Sequence, residues 1–306
     1  MRRSLTDAAV AAIVTQARTY IEPGVNMMEY PEFQYKSLVP VDSSMPEWTQ
    51  TVQFFSGDMY GKAEFINANS DDVPMAGQTR TSKMETVYTA GIGYGYGLEE
   101  IEAARMVGRN LPAEDAFAAR RAAEEMIDGV AMRGHPEKNL DGLINHRAVT
   151  PRTAETGGWD SASEDQILAD INQAIGISYK DTKYTSMANT LLLPYEKLTP
   201  LASKRLSGTE GNFLAFIQKY NLYTTQTGQP LTIRAVRGLE TAGSGGSNRM
   251  VAYRRSPDVL KLMLPMPHRF TNVWQSGPFR WDVPGLFRLS GVNIRRPLEV
   301  TYIDGI

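Results

Sequence analysis

The chain of 306 residues contains no cysteine, so disulfides and thiolate-ligated metal centres are excluded. It has three histidines, which leaves little room for histidine-based catalysis. No run of about eighteen apolar residues occurs, so the sequence offers no membrane span. Neither sign of charge is in surplus: 32 Lys and Arg face 34 Asp and Glu, a formal net charge of −2. A protein that wraps nucleic acid tightly carries a basic surplus, so contact with DNA is expected to be weak and non-specific.

Catalytic motifs are equally scarce. No serine stands in a G-x-S-x-G elbow. The glycine run Gly91 to Gly97 fails the dinucleotide pattern because its sixth place holds Tyr96. Its period of two reads as a strand whose glycines let another backbone approach closely. Gly61-Lys62 is followed by Ala63, so no hydroxyl is placed to hold magnesium as in a phosphate loop. His135, Asp141 and His146 lack metal-ligand spacing. Glu124, Glu125 and Asp128 read as a charged helix face. Arg254-Arg255 and Arg295-Arg296 are small basic pairs suited to phosphate, to acidic neighbours or to plain solvation. No constellation supplies nucleophile, base and orienting group together, so no catalytic residue, cofactor or metal ligand is expected.

What is present is a long helix. Asn110 can cap it, Pro112 suits its first turn, and Gly134 with Pro136 ends it. Ala116, Ala119, Ala123, Met126 and Val130 recur at helical spacing, predicting a narrow, alanine-rich face for close packing. Before it, residues 1–20 pattern as an amphipathic helix on Leu5, Ala9, Ala12 and Ile13 rather than a signal peptide. Residues 21–48, with four prolines, read as an extended segment whose Phe33, Tyr35, Leu38 and Val39 need cover from another surface. Trp48–Phe55, continued by Lys62–Ile66, and the alternating stretch Met84–Leu98 predict one long hairpin with a polar tip. After the helix, Ser163 and Gln166 form a capping-box pattern, short strands and helices alternate, and Thr241–Ser247 reads as a mobile loop.

Three stretches carry a resemblance. They are Ser56–Glu64 through Asp72-Val73-Pro74; the long helix through Gly142-Leu143-Ile144-Asn145; and Pro257–Pro265 followed by Arg296-Pro297 to Ile306. Together with the order of parts, they make the chain similar to tailed-bacteriophage major capsid proteins of the Hong Kong 97 fold, as a short member lacking a scaffolding domain. The resemblance implies an α+β fold with an N-terminal arm (1–46), an E-loop hairpin (47–98), a P-domain with its long spine helix (99–146), an A-domain (147–256), and a P-domain return with terminal strands (257–306). It implies a structural subunit, not an enzyme, that self-assembles as hexamers and pentamers into an icosahedral shell around double-stranded DNA. Assembly in the host cytoplasm follows, with separate scaffolding, portal and decoration proteins as further partners and no membrane. Two other readings are an encapsulin-like nanocompartment shell around a cargo enzyme, and a carboxylate-dependent hydrolase using Glu124 or Asp128. The resemblance lays the E-loop over a neighbouring subunit. The expected interface therefore sets Asp71 and Asp72 of the tip against Arg269, Arg280 and Arg288, with Phe33 and Tyr35 covered by another copy.

Overall fold

The computed structural model describes residues 32–65, 73–107, 111–204 and 211–306. A single helical turn, α1 (Tyr35–Leu38), precedes a two-residue strand, β1 (Val41–Asp42). Strands β2 (Thr51–Tyr60) and β3 (Gly77–Thr86) pair antiparallel without a break, from Thr51 opposite Thr86 to Tyr60 opposite Gly77. Strands β4 (Tyr88–Gly91) and β5 (Tyr94–Gly97) lead into α2 (Leu98–Val107) and the 23-residue α3 (Leu111–Arg133). There follow β6 (Pro151–Thr153), α4 (Glu164–Asp181), β7 (Thr190–Leu193), α5 (Tyr195–Ser203), α6 (Phe213–Lys219), α7 (Leu222–Thr227), β8 (Thr232–Ala235) and β9 (Arg249–Tyr253). The rest is strand: β10 (Leu260–Met263), β11 (Met266–Phe270), β12 (Trp274–Gly277), β13 (Arg280–Val283), β14 (Gly285–Leu289), β15 (Val292–Ile294) and β16 (Val300–Asp304).

Local chemistry explains the main boundaries. Gly134 ends α3 at φ 72°, and a side chain there would strike the backbone of Asp141 and Gly142. Helix α4 starts at the capping box foreseen in the sequence: Ser163 Oγ accepts the Gln166 N–H, and Gln166 Oε1 accepts the Ser163 N–H. Helix α3 buries Ala119, Ala123, Ile127, Val130 and Ala131. Met126, assigned to that face by spacing, is 42% exposed, and Ile127 takes the buried place. The stripe drifts across the helix because its period is 3.6 residues. The Asn110 cap lies outside the described residues.

A five-stranded sheet, ordered β6-β16-β9-β7-β8, separates two hydrophobic cores. Leu192, Val251, Tyr253, Val300 and Tyr302 face the core built on α3, α1 and the C-terminal strands. Leu191, Leu193, Met250, Ala252 and Ile303 face the core built on α4 and α6. Burial on both faces is why β7 and β9 read as continuous apolar runs rather than as alternation.

Four expectations are corrected. The hairpin ends at Thr86: β4 pairs with β14 and β5 with β13, so the alternating Tyr88–Gly97 stretch zips onto the C-terminal strands. The glycines do admit those backbones, since a Cβ at Gly91 would stand 2.8 Å from Gly285 O and one at Gly93 would run into Val283 O. Residues 61–65 form no strand. The 33–39 segment includes a helical turn and is covered by its own subunit, with Tyr35, Leu38 and Val39 buried. Lastly, the glycine-rich loop is tied down, because Asp304 accepts from Ser244 N–H and Oγ at 2.9 and 3.1 Å.

Candidate functional site

The geometry that stands out is a surface. Among the described residues, strands β2 and β3 form a two-stranded sheet with no third strand, an arrangement only marginally stable by itself in water. Phe55, Met59, Tyr60, Met75 and Met84 are exposed along it, and Phe65 beyond β2 is fully so. A second exposed apolar group, Val273, Trp274 and Phe279, lies on the β12–β13 hairpin. Patches of this kind call for a partner surface.

The hairpin is held at its root from both sides. Before β2, Arg269 binds the Glu47 carboxylate through Nη1 and Nη2, both at 2.9 Å. Arg288 donates to Glu47 O at 2.8 Å and to Thr89 Oγ1 at 3.0 Å, and its guanidinium lies 5.5 Å from the Trp48 ring centroid. On β3, the Glu85 carboxyl takes hydrogen bonds from Asn293 Nδ2 and Ser290 Oγ. Burial pushes the Glu85 carboxyl above the usual range, and nearby Asp141 adds to the rise against the pull of Asn293, Ser290 and Lys83.

The residues expected at a subunit interface therefore separate. Arg269 and Arg280 are on the surface, each already paired within the subunit, with Glu47 and Asp282 respectively. Arg288 is buried and serves the hairpin root instead of an open basic patch. Tyr35 is fully buried, its hydroxyl donating to Glu124 Oε2 at 2.7 Å, while Phe33 is half-buried against the first core. Burial, and after it Glu124, raises the Tyr35 pKa above the normal tyrosine range. Asp71 and Asp72 lie outside the described residues. Glu47, Trp48, Glu85 and Asn293, which anchor the hairpin, were not foreseen. The sequence carries no trace of them, because the alternation from Met84 to Leu98 runs through this point without a break.

The carboxylates proposed for hydrolysis are structural. Asp128 Oδ1 accepts the N–H groups of Gln34 and Tyr35, both at 2.9 Å, and Glu124 holds Tyr35 and Lys36. Glu299 gathers Arg254 and Arg296, so one member of each basic pair meets an acid of its own chain. Asp141 accepts from Arg147 Nε at 2.9 Å and stands 3.9 Å from His146 Nε2. Burial holds the His146 pKa below its ordinary value. Among the described residues no three His, Cys, Asp or Glu are grouped to hold a metal ion, and no helix is long and apolar enough to cross a membrane.

Residues 61–306 match the family model described as major capsid protein. No curated protein matches the chain. Among solved structures, it is similar to the capsid of Myoviridae phage XM1, with a TM-score of 0.79 and 16% identity over 95% of this chain and 98% of that one. A structure from Mycobacterium phage Bobi gives 0.65 and 13% over 99% of both chains. The capsid of a native GTA particle gives 0.66 and 8% over 98% of this chain and 99% of that one.

Proposed function

The chain belongs to the major capsid protein family, and from that premise we propose how its surfaces build a shell. Its role is that of a structural capsid subunit with a Hong Kong 97-like fold, located in the virion and assembling with copies of itself. The finer reading is an icosahedral shell of hexamers and pentamers around double-stranded DNA. It assembles in the host cytoplasm with separate scaffolding, portal and decoration proteins. Residues 1–46 act as the arm, 99–146 as the P-domain with α3 as spine, 147–256 as the A-domain, and 257–306 as the return. The pairing of β4 and β5 with C-terminal strands argues for ending the E-loop at Thr86 rather than at residue 98.

One observation carries this reading: a hairpin of two ten-residue strands with apolar side chains in solvent, pinned at its root and joined by no third strand among the described residues. Such an element gains stability by lying on another surface, here a second copy of the subunit. We place Asp71 and Asp72 of its tip against the surface arginines Arg269 and Arg280 of a neighbour. An exposed pair contributes about 0.2–1 kcal/mol, and charge reversal adds repulsion.

Purified full-length chain should give closed shells or rings in electron micrographs at near-physiological salt. Asp71→Lys with Asp72→Lys should raise the concentration needed for assembly by about one order of magnitude, less so at high salt. Light scattering against concentration reads this, with circular dichroism as the folding control. A stable monomer at every concentration would overturn the shell reading. Unchanged assembly of the double variant at low salt would overturn the tip contact alone.

A further inference from the structure

A cavity of about 580 Å³ opens at the hairpin root, between β3 and the chain that leaves α3. Cations reach it from three separate stretches: Lys83 from the hairpin, Lys138 from the turn after α3, and Arg147 from the loop beyond. Among the described residues neither lysine has a carboxylate partner, and Lys138 Nζ lies only over the Tyr88 ring, 5.5 Å from its centroid. Arg147 uses Nε on Asp141 and Nη2 on Asn139 O at 3.0 Å, while its side chain stays 65% exposed. His146 Nδ1 accepts the Ala148 N–H at 3.1 Å, so in the neutral ring Nε2 carries the proton and is a further donor.

Two acids share the wall, and each is engaged. Asp141 is neutralised by Arg147. Glu85 turns its carboxyl onto Asn293 and Ser290, and burial favours its protonated form. The two lysines therefore leave the balance cationic, and the wall is rich in polar groups. Lysine ammonium groups suit phosphate oxygens, Arg147 adds the donors that Asp141 and Asn139 leave over, and the volume exceeds a single inorganic ion.

We propose that this cavity binds a phosphate group, bridging Lys83 of the hairpin to Lys138 and Arg147 of the subunit body. The group comes either from a free pyrophosphate-like anion or from a nucleic-acid phosphodiester. Occupancy fixes the hairpin against the body at a point remote from its tip. The site does not depend on shell assembly.

The test is phosphorus NMR of pyrophosphate with full-length chain. Wild type should broaden the signal at sub-stoichiometric protein. Lys83→Ala with Lys138→Ala should weaken binding by about tenfold or more, each lost contact being charge-assisted. Lys219→Ala, an exposed lysine beside Tyr220, should bind as wild type. Both target lysines are exposed, and Lys83→Gln with Lys138→Gln gives a second variant with the stems kept. Displacement of pyrophosphate by a short single-stranded oligonucleotide identifies the phosphodiester as the source, and no displacement identifies the free anion. Absence of broadening with wild type, or equal binding by the lysine variants, overturns the site. Light scattering on the same samples reads assembly separately.

Discussion

Arg249 commits its whole guanidinium to the interior. Nε and Nη2 bind the two Asp304 oxygens at 2.6 and 2.9 Å, Nη1 binds Ile144 O at 2.8 Å, and the group lies 4.8 Å from the Tyr302 ring centroid. A buried pair is only weak evidence of net stabilisation, but removing one partner strands the other. Arg249→Met should therefore cost about 3–5 kcal/mol in urea unfolding at neutral pH. An unchanged midpoint would mean that Asp304 finds other compensation, from Ser244. Burial works against the Asp304 carboxylate, yet the Arg249 and Ser244 bonds hold its pKa below the ordinary range. Asp42 is held down to about 2, first by its hydrogen bond from Lys261 and then by Ser44. A depressed acid stabilises the fold above its unfolded pKa and loses that contribution as pH falls through the folded value. For Asp42 the window runs from 3.8 down to about 2. Asp42→Asn should flatten acid unfolding there by about 1 kcal/mol once solvent screening is allowed for. Thermal melts across that range measure it, and a slope equal to wild type would contradict it.

At the scale of elements, α3 needs its alanines. Ala123 is fully buried in the first core, so Ala123→Leu should overpack it by about 1–3 kcal/mol and give low solubility or aberrant particles. Wild-type stability with normal particles would show that the core can open there. This face was legible from spacing, as were the Ser163–Gln166 box and the Gly134 stop, because each is written in residues within a turn or two of one another. The Tyr88–Tyr96 alternation gave the faces: those tyrosines are half-buried while Gly91 and Gly93 admit a neighbouring backbone. It could not give partners. A period of two is the same whether a strand returns along β2 or joins β13 and β14, nearly two hundred residues later. The root anchors failed to show for the same reason: Glu85 meets Asn293, and Glu47 meets Arg269 and Arg288, only after the chain has closed. Tyr35 was misjudged because proline density argued for an arm, whereas Glu124 and Asp128, read as solvated, hold that segment on α3.

For the whole molecule, folding and assembly should be separable. Among the described residues the hairpin strands pair only with each other, so excising them between the facing Gln53 and Met84 and closing the gap with an Asn-Gly turn should leave both cores intact. The shortened subunit should show native circular dichroism and a single unfolding transition, yet scatter no more light than a monomer as its concentration rises. Shells formed by it would show that other surfaces suffice. The central sheet imposes an order on events as well. Strand β16 lies between β6 and β9, meeting Pro151 on one side and Tyr253 on the other. During synthesis the ribosome delivers the hairpin early and β16 late. Until translation has passed Asp304, β6 and β9 are open edges and Arg249 has no carboxylate. Such late, non-local closure is slow and leaves sticky edges in the meantime. The body on which another copy's hairpin could dock is therefore finished only once β16 has joined β6 and β9.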